Sequence, residues 1–317
     1  MQSKDLLAME QLSPEMIYRL LETAGHMERV VRSGNKRTTY LQGKTLVNVF
    51  YENSTRTRLS FELAGKYMGA QVANLSMSTS SVQKGENLLD TLQTIRQLAA
   101  DFIVLRHPMS GSADFVAENC TASIINAGDG MHAHPTQALL DLRTMQVEFG
   151  RLDDLKVAIL GDVLHSRVAR SNATALKRLG SEVYAYSPAT LAPREHDGVP
   201  IKFCRSASEA VKDADVIMML RLQLERQRAA LFPSVNEYSK FFGLQKEWLE
   251  LAKPEAIIMH PGPSQRGVEI PSNLHDSMQS RIRDQVTHGI AVRMAILHHL
   301  NLYRNQQPIE AREAFYV

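Results

Sequence analysis

Val47-Asn48-Val49-Phe50-Tyr51-Glu52-Asn53-Ser54-Thr55-Arg56-Thr57-Arg58-Leu59-Ser60-Phe61-Glu62 is the stretch that decides the fold. The apolar, β-branched run from Thr45 to Phe50 reads as a buried strand. Ser54 or Thr55 then suits the N-cap of a helix whose apolar positions are Leu59, Leu63 and Tyr67 and which stops at Gly69. The order is strand, short loop, helix N-terminus. At such a terminus the first backbone N–H groups lack partners within the helix, and the macrodipole adds roughly half a positive charge, so an anion is favoured there. Arg56 and Arg58 flank Thr57, and at about 100° per residue they cannot both meet one ligand. Arg56 is expected to face the anion and Arg58 to be structural. The bland alternative is a capped surface helix with two solvated arginines. Hydroxyls and guanidinium groups placed directly after a buried strand favour a phosphate cradle instead.

With 317 residues the chain is too long for one ordinary core, so two domains are expected, and 44% hydrophobic residues suffice to fill both. Lys plus Arg number 36 against 34 for Asp plus Glu, and a net charge of +2 gives no electrostatic case for nucleic acid or membrane as a partner. Met1-Gln2-Ser3-Lys4-Asp5 lacks the apolar core of a signal peptide, and no apolar run approaches the ~20 residues that span a bilayer. The cytoplasm is the default location. Cys120 and Cys204 lie far apart, without a Cys-x-x-Cys pair, which excludes a disulfide framework and the usual cysteine zinc sites. Both read as core fillers.

Ser13-Pro14-Glu15 opens a first helix with one apolar face, Ile17, Leu20, Leu21, Ala24, Met27 and Val31, before Gly34. Residues 71–77 read as a second strand. The segment 78–86, rich in serine and carrying Lys84, reads as a mobile loop. Leu88, Leu89, Leu92, Ile95 and Leu98 mark the next helix, and 101–105 and 122–126 are short buried strands. Arg106-His107-Pro108 follows the first of these, and Ala127-Gly128-Asp129-Gly130 the second. His132-Ala133-His134-Pro135-Thr136-Gln137 leads into a helix carrying Leu139, Leu140, Leu142 and Met145. Strands alternating with helices argue for an α/β fold with a doubly wound parallel sheet, whose ligands sit beyond the carboxyl ends of the strands. Arg56, Arg106 and His134 all follow strands, so they should gather on one sheet edge.

Gly150-Arg151-Leu152-Asp153-Asp154 is a turn-like break, and the domain boundary is placed there, giving domains 1–150 and 151–317. The second half repeats the rhythm, with strands at 156–160, 182–186, 215–220 and 256–259. Its first turn, Gly161-Asp162-Val163-Leu164-His165-Ser166-Arg167, lacks the Gly-x-Gly-x-x-Gly fingerprint of dinucleotide sites. The last long helix, about 284–305, is expected to pack back on the first domain. Its His298-His299 pair reads as a local feature rather than a metal site, and a mobile loop is expected over 223–240.

Arg56 and Arg106 in the first half, and Arg167 and Arg221 in the second, stand at strand ends. Such guanidinium groups suit phosphate and carboxylate ligands, since a charge-assisted hydrogen bond contributes roughly 1.5–3 kcal/mol. His134 could pair with His132 on a metal, but no third ligand follows at suitable spacing and Pro135 breaks the element, so no metal is expected. A hydrogen bond from His134 to a carbonyl is favoured. Gln137, one helical turn on, offers an amide for an NH2 group. His260-Pro261-Gly262-Pro263 is a rigid turn that presents backbone carbonyls, or else a plain sheet-edge turn.

Ser54-Thr55-Arg56-Thr57-Arg58, His134-Pro135-Thr136-Gln137, Ser166-Arg167-Val168-Ala169-Arg170-Ser171, Arg221-Leu222-Gln223 and His260-Pro261-Gly262-Pro263 occur in the order found in the transcarbamoylases, and the chain resembles that family over nearly its whole length. Within it, the second-half segments resemble those of the aspartate enzymes. A guanidinium at Arg221 suits a second carboxylate and would repel the side-chain ammonium of ornithine. Val168 departs from members that carry threonine there. The resemblance implies two doubly wound domains with the active site in the cleft between them. It also implies transfer of the carbamoyl group from carbamoyl phosphate to L-aspartate, in pyrimidine synthesis, with no cofactor. Ser54, Thr55, Arg56 and Thr57 would hold the phosphate; Thr57, Arg106 and His134 would polarise the carbonyl. Gln137, with the turn at Pro261, Gly262 and Pro263, would hold the amide, and Arg167, Arg221 and Gln223 the carboxylates of aspartate. A homotrimer is implied, in which a loop bearing Ser80 and Lys84 serves the neighbouring chain. A larger assembly with a regulatory chain or a dihydroorotase stays open. The rival readings are an ornithine-type enzyme and an inactive scaffold homologue.

Overall fold

The structure, a computed structural model, describes residues 1, 3–76, 87–193, 198–222 and 234–306. The expected loop at 78–86, with Ser80 and Lys84, and Gln223, expected from the resemblance to bind aspartate, lie outside the described residues. The elements run α1 (Pro14–Arg32), β1 (Thr45–Phe50), α2 (Thr55–Tyr67), β2 (Gln71–Ser76), α3 (Leu88–Gln97), β3 (Phe102–His107), α4 (Ser112–Glu118), β4 (Ser123–Asp129) and α5 (Pro135–Phe149). There follow β5 (Lys156–Leu160), α6 (Arg167–Arg178), β6 (Glu182–Tyr186), β7 (Lys202–Phe203), α7 (Ala207–Val211), β8 (Val216–Met219), α8 (Val235–Phe242), α9 (Lys246–Leu251), β9 (Ile257–Met259), α10 (Ser272–His275) and α11 (Ile282–Gln306).

Two compact units result. The first comprises Met1–Leu140 and the chain from Thr287 on, the second Asp141–Val286. The division falls inside α5 rather than at the Gly150 turn. On the second unit's side Asp141 is fully buried and accepts hydrogen bonds from Asn172 and Gln285, each at 2.8 Å. On the first unit's side α11 is tied by Arg293 donating to Ser60 Oγ at 3.0 Å, Asn301 to the Tyr40 carbonyl at 3.0 Å and Arg304 to the Thr121 carbonyl at 3.1 Å.

The first unit holds a four-stranded parallel sheet ordered β2-β1-β3-β4, and the second a five-stranded one ordered β7-β6-β5-β8-β9. Both are doubly wound. Val47, Val49, Ile103, Leu105 and Ile124 meet Leu92, Ile95 and Val116 in one core; Ala158, Leu160, Ile217, Met219 and Ile258 meet Val211, Leu244 and Ile270 in the other. Leu46, Val47, Val49 and Phe50 are all buried, as in a strand covered on both faces. In each sheet the first strand sends the chain to one side and the later return places a strand on its other side. The switch points therefore lie between β1 and β3 and between β5 and β8.

Several expectations are corrected. Leu59 is half exposed, and α2 instead buries Thr57, Phe61, Ala64 and Gly65. Leu89 and Leu98 are also exposed, leaving Thr91, Leu92 and Ile95 as the inner face of α3. The strand begun at Ser123 continues through Gly128 to Asp129. Cys204 is only partly covered, while Cys120 is buried. Of the loop expected over 223–240, residues 223–233 lie outside the described residues, and 235–240 belong to a helix instead. Ser234 caps α8 by accepting from Glu237 N, and Tyr238 on that helix is fully buried. No helix among the described residues is long and apolar enough to cross a membrane.

Candidate functional site

In the first unit the site residues emerge from the carboxyl ends of β1, β3 and β4. Ser54 occupies the N-cap of α2, and its side chain makes no capping bond to the helix. Its carbonyl accepts from Arg58 N at 3.1 Å, the first bond of the helix, so the N–H groups of Thr55, Arg56 and Thr57 point out of the terminus. Thr57 is buried, whereas Thr55 and Arg56 are exposed. On the neighbouring strand Arg106 lies opposite Phe50, and its carbonyl accepts from Tyr51 N at 2.9 Å. The Arg106 guanidinium donates to the Ala127 carbonyl at 3.2 Å, and its Nε lies 3.2 Å from Glu52. Glu52 was missed in the sequence. It sits in the quoted stretch, but only the register of β1 on β3 places it beside an arginine.

His134 follows a tight loop closed by Asp129. The buried Asp129 carboxylate accepts from Gly111 N at 2.7 Å, Asn126 Nδ2 at 2.7 Å and Ala133 N at 3.1 Å, and its Oδ2 is 2.9 Å from His132 Nδ1. Burial works against its ionised form, but His132, Asn126 and the Gly111 N–H more than offset this and hold the carboxyl below its usual range. The hydrogen bond to Asp129 raises His132 in turn. Asp114, Asp129 and His132 offer ligand atoms within 4.8 Å of one another, yet the Asp129 oxygens already take these donors, a poor arrangement for a cation. His132 thus serves Asp129 and does not pair with His134. His134 is buried, with Nδ1 3.5 Å from Thr136 Oγ1, and its carbonyl accepts from Gln137 N and Ala138 N to start α5. Gln137 is buried one turn along.

In the second unit Ser166 caps α6, accepting from Ala169 N at 3.1 Å, and Arg167 is its first residue, 3% exposed. Val168, next on the same helix, is buried. The loop before the cap is shaped by buried Asp162, whose Oδ1 is 2.8 Å from His165 Nδ1 and accepts from His165 N. Gly161 stands at φ +119°, and a Cβ there would press on Tyr238 Oη at 3.0 Å. Arg221 follows β8 and is partly covered. After β9 the turn from His260 to Pro263 is pinned by Gly262 N donating to His260 Nδ1 at 2.9 Å, with Gly262 at φ +69° and a cis bond to Pro263. His260 N donates to Gln285 Oε1 at 3.0 Å. His298 and His299 prove local: His298 packs on the Tyr40 ring at 4.7 Å, and His299 Nε2 lies 2.8 Å from Thr23 Oγ1. Burial, with the nearby N-terminus, pushes His299 down to about 4.

Arg56 and Arg106 thus flank the switch point of one sheet, and Arg167 and Arg221 that of the other. Family models match both halves: "Aspartate/ornithine carbamoyltransferase, carbamoyl-P binding domain" over residues 4–147, and "Aspartate/ornithine carbamoyltransferase, Asp/Orn binding domain" over 153–300. The chain belongs to the aspartate/ornithine carbamoyltransferase family. It is 55% identical to an aspartate carbamoyltransferase catalytic subunit of Ruminiclostridium cellulolyticum, over 94% of this chain and 95% of the relative. Among solved structures it is similar to the catalytic subunit of M. Jannaschii aspartate transcarbamoylase, with a TM-score of 0.83 at 39% identity, covering 96% of this chain and 100% of that one. The Trypanosoma cruzi aspartate transcarbamoylase in complex with N-(phosphonacetyl)-L-aspartic acid also gives a TM-score of 0.83, at 31% identity over 93% and 94% of the two chains. This carbamoyltransferase therefore carries, in each unit, arginines at the place where such folds bind ligands.

Proposed function

We propose that the chain transfers the carbamoyl group of carbamoyl phosphate to the amino group of L-aspartate, giving N-carbamoyl-L-aspartate and phosphate for pyrimidine synthesis. The observation that carries this reading is the arginine pair at each switch point, in a chain 55% identical to one aspartate carbamoyltransferase catalytic subunit. In the first unit Ser54, Thr55, Arg56 and Thr57 take the phosphate at the helix N-terminus. Thr57, Arg106 and His134 donate to the carbamoyl oxygen, and Gln137 takes the amide. In the second unit Arg167 and Arg221, with Gln223, take the two carboxylates of the acceptor.

The chemistry is acyl transfer without a covalent enzyme intermediate. The amine attacks the carbamoyl carbon, its C–O bond to phosphate breaks, the phosphate leaves with that electron pair and the amine loses a proton. Donors placed beforehand at the carbonyl oxygen stabilise the negative charge of the tetrahedral state. Arg221 favours aspartate over ornithine, whose ammonium a guanidinium repels. A cytoplasmic homotrimer, with Ser80 and Lys84 of one chain serving the next, completes the reading. Phosphate release at fixed carbamoyl phosphate, with L-aspartate or L-ornithine as acceptor, tests it. Saturable turnover with aspartate alone is expected; turnover with ornithine, or with neither, rejects it.

A further inference from the structure

The end of β8 and the turn after β9 are joined through one carboxylate. Glu269 is fully buried. Its Oε1 accepts from Leu222 N at 3.0 Å, and its Oε2 accepts from Gln265 N. His260 brings Nε2 within 3.6 Å of Oε2, both side chains being fully buried. Because His260 Nδ1 accepts from Gly262 N, the neutral ring carries its proton on Nε2, the atom turned toward Glu269. Leu222 is itself buried and packs with Leu191 and Tyr238. Burial, then the nearby Glu269 and Asp162, push the Tyr238 phenol upward, so it stays an uncharged neighbour.

A buried carboxylate is costly unless its lone pairs are met, and here each oxygen takes one backbone N–H. What the group fixes is backbone: the residue after Arg221 on one side, and Gln265, two residues past Pro263, on the other. An amide could not do the same, since it offers one acceptor oxygen and turns its NH2 toward the second N–H. We propose that Glu269 is a positioning residue for the acceptor, holding Arg221 in the register in which it meets a carboxylate of L-aspartate. This rests on the reading of Arg221 as an aspartate ligand.

The test is a double-mutant cycle of Glu269→Gln and Arg221→Ala, with kcat/KM for aspartate, KM for carbamoyl phosphate and thermal unfolding measured for each. Glu269→Gln should lower kcat/KM for aspartate roughly tenfold, with KM for carbamoyl phosphate within about twofold of wild type. Added to Arg221→Ala, it should cost nothing further, because it acts through that side chain. Full additivity, or equal weakening of both substrates, overturns the inference while leaving the role of Arg221 standing. Normal aspartate kinetics in Arg221→Ala overturns that role, and the inference with it. Should Glu269→Gln not fold, Glu269→Asp, which keeps both acceptors one methylene further back, takes its place; wild-type kinetics there rejects the proposal.

Discussion

Glu52 Oε2 lies 3.2 Å from Arg106 Nε, and both side chains are largely shielded, at 18% and 15% exposure. The ion pair draws the guanidinium to the β1–β3 edge, where Arg106 donates a hydrogen bond to the Ala127 carbonyl. Glu52→Gln keeps the shape and removes the charge. Turnover should fall roughly tenfold, because an arginine free to sample other rotamers meets the carbamoyl oxygen less often. Steady-state kinetics at saturating substrates check this, and unchanged turnover would show that Arg106 needs no such partner.

Arg221→Ala separates the two substrates. Losing a charge-assisted bond to the acceptor should raise KM for aspartate roughly 10- to 100-fold and leave that for carbamoyl phosphate nearly unchanged. Arg56→Ala is the converse. Exposed at the start of α2, Arg56 contributes little to the core, so carbamoyl-phosphate binding should be lost with thermal unfolding unaltered. Titration calorimetry beside a melting curve distinguishes the two, and retained affinity in Arg56→Ala would reject the phosphate cradle.

Gly65 lies in the middle of α2, where a glycine ordinarily weakens a helix. Here a Cβ would come within 2.8 Å of Leu46 Cδ2 and of Val72 Cγ2, so the helix rests on β1 and β2 through the missing side chain. Gly65→Ala should therefore destabilise by about 1–3 kcal/mol despite its better propensity. Denaturant unfolding gives the number, and a stabilised variant would mean the contact relaxes freely.

That contact explains what the sequence could and could not show. Lys156–Leu160, an apolar run buried on both faces, and Glu182–Tyr186, which alternates buried with more exposed positions, both have the bounds their patterns suggested. The inner face of α2 did not. Counting large apolar residues selected Leu59, while the real face is Phe61 with the small Ala64 and Gly65, chosen by closeness to the sheet. Short elements such as α7, α9 and β7 span too few residues for any period to register. Arg106 and Arg221 were legible because they close or follow apolar runs, and Arg56 and Arg167 because each stands in the first turn of a helix with serine at its N-cap. Glu52 and Glu269 were not, since their partners are set by strand register and by turns distant in sequence.

The Asp129–His132 pair predicts a pH signature. His132 is raised on folding, so its contribution is complete below the ordinary histidine value, about 6.5, and is lost as pH rises through the folded value. Asp129 is lowered, so its contribution is complete above about 3.9 and is lost as pH falls through the folded value. The stability difference between wild type and His132→Asn should be widest between those limits and shrink on either side. A pH-independent difference would mean that the hydrogen bond, not the charge, matters.

The last prediction concerns Lys84, whose proposed role is in the neighbouring chain's site. A serine-rich polar segment is poorly suited to pack inside its own domain, yet it carries a lysine suited to an anionic substrate. Lys84→Ala and Arg56→Ala should each be inactive alone. If each site takes Arg56 from one chain and Lys84 from the next around a closed ring, equal mixing with reassembly gives half the chains an intact Arg56. Half of their neighbours then supply an intact Lys84, and about a quarter of wild-type sites return. A lysine acting within its own chain gives no recovery, because every chain then lacks one of the two residues. Subunit exchange is followed separately by mass-labelled chains, so absence of activity in fully exchanged oligomers would reject the shared site.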